Sequence, residues 1–137
     1  MRHQEGIIRA MAVLLLAVLA ALGGCHRPKP QVATQADVAA AQDEARKELE
    51  QARIEARKDL KSATKVSGGD SRVVAEARVS GSFDIAMAKA DGDHKVALQT
   101  CMTLEPTAQP PCKNQADSDY QAAVASAKAQ RASQQQR

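Results

Sequence analysis

Apolar residues fall along the chain in three stripes, each at helical spacing and each ended by a glycine or proline break. The first runs Val38, Ala41, Ala45, Leu49, Ala52, Ala56, Leu60 and Ala63, at steps of 3, 4, 4, 3, 4, 4 and 3. Those steps keep one helical face and contain eleven residues per three turns twice over, a period that winds straight or slightly right-handed. They predict a helix over 34–66, capped by Thr34 or Asp37. Ser67-Gly68-Gly69-Asp70 ends it, with glycine as the left-handed cap and Asp70 or Ser71 restarting the chain. The second stripe is Val79, Phe83, Met87, Ala90, His94, Ala97, Cys101 and Leu104, close to a heptad seam. Gly81 and Gly92 weaken that helix by about 1 kcal/mol each relative to alanine. A break near Asp91-Gly92-Asp93, with Asp93 as a new N-cap, stays open, as does a short strand over 72–79. Glu105 to Pro111, with three prolines, reads as a turn. Cys112, Ala116, Tyr120, Ala123 and Ala127 mark a third helix, and 133–137 read as a disordered glutamine-rich tail. The expected fold class is all-α: an extended charged helix, a glycine hinge at 67–70, and an antiparallel helical hairpin over 71–132.

Composition limits what these helices build. Phe83 and Tyr120 are the only aromatics and there is no tryptophan, so a core of bulky side chains is out of reach. Five of the eight first-stripe residues are alanine, and that helix is left open between a solvated helix and a weak coiled coil. Asp37, Asp43 and Glu44 sit early in it, and Arg57, Lys58, Lys61 and Lys65 sit late, in accord with the helix dipole. Asp43–Lys47 and Arg46–Glu50 are the expected i,i+4 pairs. A formal charge of +3 from 19 basic and 16 acidic residues argues for no nucleic-acid partner.

The N-terminus changes the picture most. Arg2 and Arg9 flank the start of an apolar run from Ala10 to Leu22, and Gly23-Gly24 precede Cys25. A basic stretch, an apolar stretch and small residues at a cut site make a secretory signal peptide. The 13 residues from Ala10 to Leu22 fall short of the ~20 that a membrane span needs. Leu22-Gly23-Gly24-Cys25 resembles the lipobox of bacterial lipoproteins. The resemblance implies removal of residues 1–24, a diacylglycerol on Cys25 and an acyl chain such as palmitate on the new amino terminus. His26, in place of the aspartate that favours the inner membrane, implies the periplasmic face of the outer membrane. Cys25 to Val32, with Pro28 and Pro30, then opens an extended tether over 25–33. Processing leaves 113 residues with 17 basic and 15 acidic, a charge of +2.

Export bears on the other cysteines. With Cys25 consumed by lipid and the periplasm oxidising, Cys101 and Cys112 read as a structural disulfide closing the hairpin. A redox pair favours closer spacing, and a metal site with His94 needs more ligands than the chain offers. The segment carrying Phe83-Asp84-Ile85-Ala86, His94-Lys95-Val96-Ala97, Cys101, Leu104, Cys112 and Ala116 is similar to small exported proteobacterial proteins with two cysteines. Those proteins are loosely labelled as cell-envelope (TolA-like) and supply no functional site to transfer.

Catalytic chemistry finds little footing. His26 and His94 are the only histidines after residue 24, and no nucleophile elbow, phosphate-binding loop or HExxH motif occurs. His94 reads as a seam residue, and Asp91-Gly92-Asp93 lacks the later ligands of a calcium loop. The expectation is a non-enzymatic, lipid-anchored envelope protein without catalytic residues, metal or cofactor. It would be structural, or bind an envelope partner or its own copy through Phe83, Met87 and Tyr120. The alternative is a small ligand- or metal-binding lipoprotein using the hairpin and His94. The terminal arginine, in place of the lysine of the murein-linked major lipoprotein, argues against covalent attachment to peptidoglycan.

Overall fold

The computed structural model describes residues 32–136, and these form one compact unit. It consists of α1 (Gln35–Val66), α2 (Ser71–Met102) and α3 (Gln109–Gln135). The all-α reading holds, with α2 and α3 linked into a hairpin by Cys101–Cys112. α1 packs on α2 and α3 packs on α2, but α1 and α3 do not meet. The unit is therefore a flat layer of three antiparallel helices with α2 in the middle. Two helices of 32 residues give it a length of about 48 Å at 1.5 Å per residue.

Local chemistry sets the helix ends. Thr34 and Asp37 act together at the start of α1: the Thr34 N–H donates to Asp37 Oδ2 at 2.7 Å, and the Asp37 N–H donates to Thr34 Oγ1 at 3.3 Å. The Thr34 N–H bond first, then the Thr34 hydroxyl, which donates to the same Asp37 Oδ2 at 2.8 Å, hold the Asp37 carboxyl below its ordinary value. Gly68 and Gly69 reverse the chain with φ of 63° and 88°, a region that costs other residues steric strain. Asp70 then caps α2, its Oδ1 accepting from the Arg72 N–H at 2.8 Å. Residues 72–79 are helical, and α2 runs unbroken through Gly92.

The prolines of the second connection divide differently from the sequence expectation. Only Pro106 lies in the loop, whereas Pro110 and Pro111 sit in the first turn of α3. N–H groups there lack helical partners anyway, so proline costs nothing. At the other end α3 continues to Gln135, helical through the first residues of the expected tail.

α1 is not a free-standing helix. All eight residues of its stripe are buried or half-buried, with Val38 buried. The α2 glycines explain why. A Cβ added at Gly81 would lie 2.8 Å from Ala56 Cβ, and one at Gly92 would lie 2.8 Å from Ala45 Cβ. Gly81 and Gly92 are eleven residues apart, as are Ala45 and Ala56. The two close approaches thus repeat at the period of the α1 stripe and fix the antiparallel register. That register sets Leu49 opposite Ala88, Ala52 opposite Ile85 and Leu60 opposite Ala77. Each large side chain is matched with a small one, which lets two helices with few bulky residues pack closely. Lys95 adds a clamp, its Nζ donating to Glu48 Oε1 at 2.6 Å and Glu44 Oε1 at 3.3 Å. The Glu48 bond first, then the Glu44 bond, raise the Lys95 pKa.

Candidate functional site

Cys25, the expected lipid attachment point, lies outside the described residues, as do the expected signal peptide and all of the tether before Val32. Among the described residues, no helix is long and apolar enough to cross a membrane.

The disulfide is where the sequence places it. Cys101 is the penultimate residue of α2, Cys112 lies in the first turn of α3, and their Cα atoms are 5.5 Å apart. Cys101 is 1% exposed, the most deeply buried side chain of the unit. Thr103 to Ala108 close the loop, and Gln109 Nε2 donates to the Leu104 carbonyl at 3.0 Å. Leu104 falls beyond the end of α2 and is exposed, so the second stripe stops at Cys101.

Phe83, Met87 and Tyr120, the three residues expected to meet a partner, are half-buried. Phe83 carries the Arg131 guanidinium 4.7 Å above its ring, a cation–π contact between α2 and α3. Tyr120 stacks on His94, with ring centroids 4.6 Å apart and planes at 17°. Met87 is half-buried on the same stripe of α2. The third helix shows one local shift: Val124 is half-buried, while the expected seam residue Ala123 is exposed. The longer valine side chain reaches the interface at the turn where alanine does not.

His94 and Tyr120 anchor a polar constellation between α2 and α3. His94 Nε2 lies 2.7 Å from Asp117 Oδ1, and the Tyr120 hydroxyl donates to Asp91 Oδ1 at 2.8 Å. The Asp91 bond, reinforced by its charge, raises the tyrosine pKa because a phenolate there would face a carboxylate. Asp93, Asp119 and Ala123 border the shallow groove beside this pair. Chemically the arrangement is a cross-helix lock: one imidazole nitrogen is taken by Asp117 and one ring face by Tyr120. Its parts lie 23 and 29 residues apart in sequence, so helical spacing within one stripe could not reveal it. Only the antiparallel α2–α3 register brings them together. No three His, Cys, Asp or Glu side chains among the described residues converge on a point that could hold a metal ion.

The expected ion pairs on α1 also rearrange. Asp43 pairs with Arg46 at 2.6 Å, and Glu50 takes Arg53 at 3.6 Å and Arg57 at 3.2 Å. Such exposed pairs have shallow energies and exchange easily among neighbours one or two turns away. Two apolar grooves lie between α1 and α2, one bordered by Leu49, Ala88 and Val96 and the other by Leu60, Ala77 and Ile85. They repeat the eleven-residue period, since Leu49 to Leu60 and Ile85 to Val96 are each one such step. No protein-family model, curated protein or solved structure matches the chain.

Proposed function

We propose that this is a non-enzymatic cell-envelope lipoprotein, anchored through Cys25 and presenting its helical layer to the periplasm from the outer membrane. The observation that carries the reading is the division of labour among its three cysteines. Two of them close a disulfide inside the helical unit, with Cys101 buried, a bond that persists in oxidising compartments. The third stands alone behind the basic, apolar and small-residue sequence of an export signal. A diacylglycerol and a further acyl chain on Cys25 would supply the two lipid signals that stable anchoring takes.

The role that fits is structural or partner-binding. His94, the one histidine of the helical unit, has its Nε2 engaged by Asp117 and its ring covered by Tyr120, which supports holding helices together over acid–base catalysis. Because Phe83, Met87 and Tyr120 serve the α2–α3 packing, a partner would meet the outward sides of the helices. The test is the intact mass of protein extracted from membranes with detergent. The expected species is residues 25–137 plus lipid, two protons lighter for the cystine, and Cys25→Ala should abolish both the lipid and membrane retention. An unmodified full-length mass would overturn the reading.

A further inference from the structure

The layer is electrically polarised along its length. Its two ends are the Gly68-Gly69 turn and the Cys101–Cys112 loop, about 48 Å apart along α2. In the half nearer the glycine turn (51–86 and 127–136), nine basic residues stand against five acidic ones. In the half nearer the disulfide (32–50 and 87–126), five stand against ten. The chain enters at the acidic end, where the Ala33 N–H bonds the Met102 carbonyl.

The two ends also differ in how their charges are spent. Every ion pair among the described residues lies elsewhere than the turn's basic cluster. Lys58, Lys61, Lys65, Arg72 and Arg78 are exposed and reach no carboxylate. All five lie within about 12 Å of the turn along their helices. Of the three acidic residues in the same stretch, Asp70 is turned to capping α2, and Asp59 and Glu76 leave the five basic residues in excess. At the same extremity Val66 is 86% exposed and Val73 41% exposed, beside glycines with nothing packed against them.

From this we infer that the glycine-turn end is a membrane-contacting end, which docks on an anionic phospholipid surface opposite the one holding the N-terminus. Clustered lysine and arginine draw a protein to anionic headgroups, and bare valines at the point of contact enter the headgroup boundary, as no purely polar polyanion would require. The charge gradient orients the approach, because an anionic surface attracts the turn end and repels the acidic end. The inference rests on the anchoring proposal only for what holds the other end.

The experiment uses the full chain reconstituted in phosphatidylcholine vesicles, mixed with fluorescent vesicles of phosphatidylglycerol or of phosphatidylcholine alone. Phosphatidylglycerol vesicles should be captured several-fold more, with capture falling as salt rises. The triple substitution Lys61→Glu, Lys65→Glu and Arg72→Glu should abolish it, and Val66→Ser should weaken it. Lys113→Glu, at the other end, should leave it unchanged, with circular dichroism confirming the fold of every variant. Equal capture of both lipids, or capture that survives the triple substitution, overturns the inference. So does capture indifferent to Val66→Ser and removed by soluble polyphosphate, which would mark a general polyanion site. A chain that fails to float with the first vesicles counts against the anchor alone. The turn is then scored by direct sedimentation of that chain with phosphatidylglycerol vesicles.

Discussion

At Gly92 two residue-scale effects oppose each other, and the structure decides between them. Alanine is the better helix former by about 1 kcal/mol, so intrinsic propensity favours Gly92→Ala. Its Cβ, however, would sit 2.8 Å from Ala45 Cβ, with the Ala45 Cα 3.4 Å away. Forcing that contact apart strains a packed interface at a typical cost of roughly 1–3 kcal/mol. Gly92→Ala should therefore destabilise by roughly 1 kcal/mol net in urea denaturation. Adding Ala45→Gly should recover part of the loss, giving a favourable coupling in the double-mutant cycle. A second residue-scale test exploits the single tyrosine. The hydrogen bond to Asp91, then its charge, raise the Tyr120 pKa, so its phenolate absorbance should appear above the ordinary value of about 10. Asp91→Asn should bring it down. Because the folded value exceeds the unfolded one, this contribution to stability is complete below the unfolded pKa and fades as pH rises through the folded one.

At the scale of elements, the extent, apolar face and cap of the first helix were legible, but not whether that face packs nor how its charges pair. Every residue of the Val38–Ala63 stripe lands on the α2 interface side, and the Thr34–Asp37 cap forms from the two residues that sequence offered as alternatives. The central helix was half legible. The stripe from Val79 to Cys101 marks the side toward α3, but a second stripe lies across the helix from it. That stripe is Val74, Ala77, Gly81, Ile85, Ala88, Gly92 and Val96, at steps of 3, 4, 4, 3, 4 and 4. It has the spacing of α1 itself and was hidden for a physical reason. Two of its positions are glycines, which read locally as helix breakers and become contact points only when another backbone approaches. A helix apolar on two sides also loses the contrast that betrays a single buried face. The Lys95 clamp on Glu44 and Glu48, and the His94–Asp117–Tyr120 lock, were out of reach for the same reason: each is made by a register between helices.

For the whole molecule, the consequence of a flat layer is that α1 and α3 communicate only through α2. Each hairpin is stabilised by its own means. Between α1 and α2 these are the repeated small–large matches, the two glycine approaches and the Lys95 clamp. Between α2 and α3 they are the disulfide, the His94–Tyr120 stack and the Phe83–Arg131 contact. The disulfide closes a loop spanning 11 positions, which in the chain-entropy account is worth about 3 kcal/mol. That is a large fraction of the roughly 5–15 kcal/mol typical of a folded domain. Replacing Cys101 and Cys112 with serine, or reducing the bond, should therefore act unevenly across the layer. Hydrogen exchange should show α3 losing its protection first, together with the α2 amides facing it only as far as α2 itself frays near Met102. The amides of α1 and the first two-thirds of α2 should stay protected, because the α1–α2 contacts involve neither α3 nor the cystine. Simultaneous loss of protection in all three helices would mean that α2 transmits the unfolding of one hairpin to the other. The layer would then behave as one cooperative unit despite the gap between its outer helices.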